Sequence, residues 1–532
     1  MSASSIGKSQ KEEGTGGNEK RRDPSLLEGE IGIDDGAHGN TRHDGEDILA
    51  LQDLDPALNA KMHLVNNAID EIGWTTYHWK LFVLNGFGYA VDSLILLLPS
   101  NIAAPAFKEF GGAGYANGMI VATYVGMLTG AVFWGLGADI IGRRWAFNIS
   151  LFVCSAATIV AGAAPSWASL GFFVALGGFG GGGNLILDTT VFLEFLPSDK
   201  QWVLTFLACW WGLGQAVTGF ICWGFLVPAV WNCESAADCP RESNQGWRYV
   251  MYTSGALVFV MSVLRVTVVR LKETPKYHLG VGKDAELVEN LQVLAKRYNR
   301  PCSLTAESLQ ACGVVKSAHS GKRFSLGETF IHLSGLFATR KIAISTSLIW
   351  LSWTLIGLAY PLFYAFLSTY LASRGVNSGD GPYETWRNYS LANVSSIFGP
   401  MAAGWLCDTR LLGRRYTMVI GSLLTMAFFF AYTAVTTSAQ NVGFSCAITF
   451  CLNIYYGCLY AYTPEVLPSA HRATGNGIGV ACNRAMGIVS AVVATAADTS
   501  TPVPMYVCAA LYLAMAGVAA AFPFEPYGRR SS

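Results

Sequence analysis

GLGADIIGRR at residues 135–144 returns, with two residues inserted, as GWLCDTRLLGRR at residues 404–415. Gly135 and Asp139 fall on Gly404 and Asp408 at an offset of 269, and Gly142, Arg143 and Arg144 fall on Gly413, Arg414 and Arg415 at 271. The offset of 271 also carries EFLPSDKQ (194–201) onto EVLPSAHR (465–472), so that Glu194, Pro197 and Ser198 meet Glu465, Pro468 and Ser469. Anchors at so steady a spacing mark a chain built from two like halves.

The halves are hydrophobic. Of 532 residues, 52% are hydrophobic and only 14% charged, with a mean hydropathy of +0.35. A soluble chain carries about 25% charged residues, so the solvent implied is lipid. Crossing ~30 Å of hydrocarbon takes about 20 apolar residues in a helix. Twelve such runs begin near Trp79, Ala116, Trp145, Ser166, Val203, Tyr249, Ile342, Tyr389, Tyr416, Asn441, Gly475 and Pro502. The fold class read from them is an all-α membrane protein with twelve transmembrane helices in two pseudo-symmetric six-helix bundles. The expected division is a disordered cytoplasmic tail over 1–75 without a cleavable signal peptide, a bundle over 76–271, a cytoplasmic central loop over 272–341, a second bundle over 342–523, and a short cytoplasmic tail over 524–532. Two six-helix halves related by an axis along the membrane normal are a transporter architecture.

Short-loop Lys and Arg residues orient the chain. Arg143, Arg144, Lys200, Arg410, Arg414, Arg415, Arg472, Arg529 and Arg530 collect on one side; Lys108, Arg241, Arg248, Arg374 and Arg387 collect on the other. Nine against five places both termini in the cytoplasm, and the plasma membrane is the expected host. Thirteen cysteines fall mostly in apolar runs, where the thiol acts as a small hydrophobe. Cys233 and Cys239, in the polar CESAADCP, are the pair placed to bond on an oxidising side. Zero formal net charge gives no general pull toward nucleic acid, and no nucleic-acid partner is expected. Nothing suggests an enzyme, a metal site or a cofactor, and a monomer in the lipid bilayer is expected.

These motifs resemble the major facilitator superfamily over nearly everything after residue 75. Gly135, Asp139, Gly142, Arg143 and Arg144 match its loop signature Gly-x-x-x-Asp-x-x-Gly-Arg-Arg/Lys. KETPKY (272–277) and PEVLPSAHRATG (464–475) look like the elements that follow the sixth and tenth helices of the sugar-porter branch. GGNLILDTTVFLEFLP with WWGLGQ, and LIGLAYPLFYAFLSTYLASRG, are similar to the fungal form of the synaptic-vesicle-protein-like branch. Three departures stand against a standard hexose porter or drug antiporter. Trp167 to Asp199 holds no Lys or Arg, Gln201 stands where the first half would carry arginine, and the fifth span lacks the antiporter's glycine-proline element.

Glu194 and Glu465 each close a span at its C-terminus, where the helix dipole is already negative. Each therefore needs a nearby cation, and Arg143 and Arg144 in one half and Arg414 and Arg415 in the other are the natural partners. Asp139, Asp408 and Arg472 complete the clusters, which the resemblance implies hold the cytoplasmic side shut. The plainer reading is that these arginines only set topology.

Ionisable groups inside spans cost ~2.5–3.5 kcal/mol on insertion scales and are functional suspects. Asp92 lies midway along span 1, Asp188 in span 4 and Arg484 in span 11. One of the two aspartates is the candidate proton or cation site. Arg484 needs an internal carboxylate or an anionic substrate; a fixed Arg–Asp pair that only locks packing is the alternative. Arg265, near the end of span 6, reads as able to snorkel to the interface. Asn184, Gln215, Trp353, Tyr360, Tyr364, Asn453, Tyr456 and Tyr460 would line a cavity suited to a small polar organic solute such as a sugar or carboxylate. GGFGGGG (177–183) reads as a close helix contact. The function expected is secondary active transport by alternating access, coupled to protons as a symport, with a facilitative uniporter or a non-transporting sensor as alternatives.

Overall fold

The computed structural model describes residues 56–110, 118–141, 143–235, 238–268, 273–315, 333–373, 381–468, 471–496 and 501–527. Its regular elements are helices, the form in which each backbone N–H and C=O finds its partner within one segment in hydrocarbon.

A short helix, α1 (Pro56–Ile72), precedes the first crossing. The first bundle comprises α2 (Thr76–Glu109), α3 (Gly118–Ile141), α4 (Arg143–Gly162), α5 (Trp167–Gly181) with α6 (Asn184–Phe195), α7 (Trp202–Leu207) with α8 (Cys209–Leu226), and α9 (Gly246–Val268). Short helices α10 (Pro275–Gly280), α11 (Asp284–Arg297) and α12 (Ala306–Ala311) follow. The second bundle is α13 (Arg340–Ser373), α14 (Pro382–Cys407), α15 (Gly413–Tyr432), α16 (Ser438–Val466), α17 (Arg472–Ala496) and α18 (Val503–Ala520).

Nine of the crossings among the described residues are long and apolar enough to span a membrane on their own composition. The other three are α4, the α5–α6 pair and α14. The first two hold shorter apolar segments, Asn148–Gly162 and Trp167–Gly181. In α14 the polar Ser390, Asn393 and Ser396 are turned into the protein, which lowers its hydropathy without exposing those groups to lipid.

The bundles meet along two seams, α3 against α17 and α8 against α14. One apolar cluster crosses between them, joining Tyr89 and Trp211 of the first bundle to Tyr456 and Tyr460 of the second. The glycine run lets three helices close up: a Cβ on Gly178 would lie 2.7 Å from the Thr123 carbonyl of α3, and one on Gly180 would collide with the Cys154 backbone of α4. Cys233 and Cys239 are bonded as a disulfide.

Pro56–Ile72 departs from the expected disordered tail. Averaged composition hid its pattern: Leu58, Met62, Val65, Ile69 and Ile72 recur at helical spacing and are buried against Leu279, Leu287, Leu291 and Leu309 of the short helices. Polar ties fix the docking. Lys61 pairs with Asp284 at 2.5 Å. Asp70 accepts from the Ser198 N–H at 2.7 Å and hydroxyl at 2.8 Å, and Glu71 accepts from the Ser303 N–H at 2.7 Å. Met62→Ala should cost this cluster about 2–5 kcal/mol, the usual range for truncating a buried methionine. Limited proteolysis should then cut within 56–72 faster while the crossings stay protected; an unchanged cleavage rate would contradict the packing.

Candidate functional site

Glu194, Gln201, Arg414, Glu465 and Arg472 of the repeated motifs lie at one rim. Gly413 has φ +55°, a conformation open chiefly to glycine, and a Cβ there would meet the Glu525 carboxylate. Glu525 accepts from the backbone N–H groups of Arg414 and Arg415 at 3.0 Å each, an anion held at a helix N-terminus. The motif glycine thus makes room for a carboxylate that ties the start of α15 to the segment after α18.

With its backbone held, Arg414 turns inward. Its buried guanidinium donates through Nε and Nη2 to the two oxygens of buried Glu465, the partner expected for that carboxylate. Nη2 also donates to the Gln201 carbonyl of the first bundle at 3.0 Å. Glu194 also approaches the other half: its Oε1 is 3.8 Å from Nη1 of buried Arg472 in the second bundle. The side chains of Asp139, Arg143 and Arg144 lie outside the described residues. Asp408 is exposed at the C-terminal cap of α14. Arg415 reaches the Ala520 carbonyl.

Deeper in, Arg484 of α17 donates through Nη2 to Asp92 of α2, at 2.9 Å to Oδ1 and 2.6 Å to Oδ2. Both side chains are buried, and the pair joins the two bundles. Asp188 of α6 instead accepts from Arg265 of α9 at 2.8 Å, within the first bundle. Arg265 is fully buried rather than snorkelling, and its Nη2 also donates to the Leu84 carbonyl of α2 at 3.1 Å. A carboxylate at matching depth keeps the guanidinium inside. Gly88 of α2 makes the socket: a Cβ there would collide with the Asp188 carboxylate and lie 2.7 Å from Arg265 Nη2.

Aromatic rings cluster beside the Asp92–Arg484 pair. Tyr460 has its ring 5.5 Å from Tyr89, 5.5 Å from Tyr456 and 5.1 Å from Trp353. Tyr456 is 6.1 Å from Trp211 and 5.6 Å from Tyr360, and Gln215 donates to the Tyr360 hydroxyl from the opposite bundle. Two other expected cavity residues serve as ties between or within helices. Asn184 accepts from Ser150 of α4 at 2.8 Å, and Asn453 donates to the Thr449 carbonyl of its own helix at 2.7 Å. The Tyr364 side chain lies outside the described residues.

Tyr89, Gly88 and Glu525 were not anticipated from sequence. Tyr89 stands three residues before Asp92, so it shares that helix face. Glu525 in FPFEPYG follows the last crossing much as Glu273 in KETPKY follows the sixth, a spacing that could have singled it out.

Twelve crossings among the described residues, in two like halves clasped at one rim and through the centre by charges, define a multi-pass membrane transporter of small solutes rather than an enzyme. The Major Facilitator Superfamily model matches residues 81–491, and the chain belongs to that family. It is 40% identical to "MFS siderochrome iron transporter 1" of Ceriporiopsis subvermispora (strain B), covering 92% of this chain and 95% of that one. It is 35% identical to "Major facilitator-type transporter hxnZ" of Emericella nidulans, covering 89% and 88%. Among solved structures, the proton:xylose symporter XylE bound to 6-bromo-6-deoxy-D-glucose aligns with a TM-score of 0.63 at 14% identity, covering 86% of this chain and 98% of XylE. That likeness carries the fold alone.

Proposed function

We propose that this protein is a secondary active transporter that moves a small polar organic solute by alternating access, driven by protons, with Asp92 as the coupling group and Arg484 as the substrate anchor. The observation that carries the reading is the buried Asp92–Arg484 pair, which joins α2 of one bundle to α17 of the other. A charge pair in low dielectric is held only while both partners stay charged. A proton on Asp92 neutralises the carboxylate and leaves Arg484, whose charge persists, to take a carboxylate or another oxygen group of the solute. The titratable groups within electrostatic reach of Asp92 include Arg484, Asp188, Tyr89, Tyr124, Tyr460 and Cys154. The fungal relative of 40% identity is named for siderochrome iron transport, and from it the reading takes only a class, oxygen-rich polar solutes, with sugars and carboxylates inside it.

The rim charges act as a latch in this reading. Arg414 with Glu465 and Gln201, and Arg472 with Glu194, hold the motif rim closed, with Asp139, Arg143, Arg144, Asp408 and Arg415 as the rest of the gate. Asn101 donates to the Tyr389 hydroxyl at 3.2 Å, and Trp223 lies 5.3 Å from Tyr383, which supports a closed opposite rim. Gln215, Tyr360, Tyr364 and Tyr456 would meet the solute, with Asn184 and Asn453 shaping its pocket from behind. The Cys233–Cys239 disulfide, on the rim away from the motifs, supports an orientation with both termini in the cytoplasm. A monomer in the plasma membrane completes the reading.

Proteoliposomes with an imposed pH gradient test it. Wild-type protein should accumulate solute against its gradient, whereas Asp92→Asn should abolish accumulation and spare exchange of solute for solute. Wild-type flux indifferent to the pH gradient would establish a uniporter, and binding without flux would establish a sensor.

A further inference from the structure

A cavity of about 310 Å³ lies between the first turns of α2, the ends of α6 and α9, and helices α10 and α11. Its walls carry Lys80 from α2, Arg297 from α11, Glu273 from the segment after α9, and the apolar Phe195, Val268 and Val293. We propose that this cavity binds one anionic phospholipid of the adjoining leaflet, its phosphodiester between Lys80 and Arg297 and an acyl chain along Val268 and Val293.

Three observations choose this occupant. The first is depth. The cavity lies where crossings α2 and α9 end, which is the level of lipid headgroups, and exposed Trp79 beside Lys80 is an aromatic of the kind that settles at that interface. The second is continuity with the lipid-facing surface. Val260, Val263 and Leu264 are exposed along α9 and lead to exposed Val268 in the cavity wall. Val293 is 47% exposed on the facing helix α11, an apolar surface that an acyl chain would cover. The third is charge. Lys80 and Arg297 are both exposed, and neither is in an ion pair among the described residues; Arg297 does lie over the Tyr298 ring, 6.0 Å away. Glu273 is less exposed than either cation. The two cations outnumber the one carboxylate of the wall, and Glu273 itself lies within electrostatic reach of Lys283, so the wall favours an anionic headgroup. Cationic side chains beside a bilayer attract anionic lipid, and an Arg and a Lys can donate to one phosphate together. A lipid seated here would bridge the first crossing to the central helices.

Native mass spectrometry of the full-length protein, exchanged into equal amounts of phosphatidylglycerol and phosphatidylcholine with matched chains, reads the site directly. The wild type should retain one phosphatidylglycerol in preference to phosphatidylcholine. The Lys80→Gln/Arg297→Gln protein should retain it roughly tenfold less, as expected when two charge-assisted contacts to a phosphate are lost. Both positions are exposed, so the double variant should fold; an unchanged far-UV spectrum and unchanged protease protection of 56–72 verify that. Val293→Ser should weaken retention with both cations intact, which separates a lipid from a bare phosphate. Equal retention of the two lipids, undiminished retention by the double variant, or displacement by millimolar inorganic phosphate would overturn the proposal.

Discussion

Arg484→Gln, with Asp92 left in place, is expected to destabilise the protein by about 3–5 kcal/mol, the range for removing one partner of a buried ion pair. The carboxylate of Asp92 would remain buried with its guanidinium partner gone. The expected result is a clear fall in the midpoint of thermal denaturation followed by intrinsic fluorescence, with solute accumulation lost as well. Adding Asp92→Asn removes the stranded charge, so the double variant should regain most of the midpoint while accumulation stays absent. This separation of stability from transport distinguishes a coupling pair from a packing pair. If Arg484→Gln is as stable as wild type, the pair does not hold the bundles together; if the double variant transports normally against a gradient, it plays no part in coupling.

Gly88→Ala should be at least as damaging, although the change adds a single methyl group. That methyl would collide with the Asp188 carboxylate and press on Arg265 Nη2. Overpacking of a filled interior costs about 1–3 kcal/mol, and separating Asp188 from Arg265 adds the cost of a broken buried pair, about 3–5 kcal/mol. The expected outcome is a protein recovered as aggregate, or one melting well below wild type on size-exclusion analysis after heating. Combining Gly88→Ala with Asp188→Ala and Arg265→Leu removes both the collision and the charges and should restore a monodisperse peak. A Gly88→Ala protein with wild-type melting would show that Asp188 does not sit against α2.

The fold was readable because two independent patterns agreed. Twelve apolar runs specified crossings, and a repeat whose offset changes only from 269 to 271 across a two-residue insertion specified their division into halves. The contacts across the seam were harder to read. A repeat offset compares equivalent positions, and it does not say which half supplies a partner. Glu465 meets Arg414 from its own half, so local charge matching was enough there. Glu194 comes within 3.8 Å of Arg472 in the other half, an approach that only the packed bundles reveal, while the side chains of its expected partners Arg143 and Arg144 lie outside the described residues. Asp92 and Arg484 stood out as costly intramembrane charges, yet 392 residues separate them in the chain, and Asp188 was an equally valid carboxylate on paper. Arg265 was misread because closeness to a helix end suggested an exit to water, whereas a carboxylate on α6 holds it inward. Helix α1 was missed because five apolar residues at helical spacing were diluted by the polar composition of the segment before them.

A paired spin-label distance measurement across the motif rim tests the central claim most directly. Labels at Asp199, after α6, and at Arg410, after α14, sit at exposed positions on opposite bundles. Alternating access coupled through Asp92 predicts two distance populations in wild-type protein, with acidification shifting weight toward the longer one, and a population ratio indifferent to pH in Asp92→Asn. A single distance, unchanged by pH in both proteins, would contradict it.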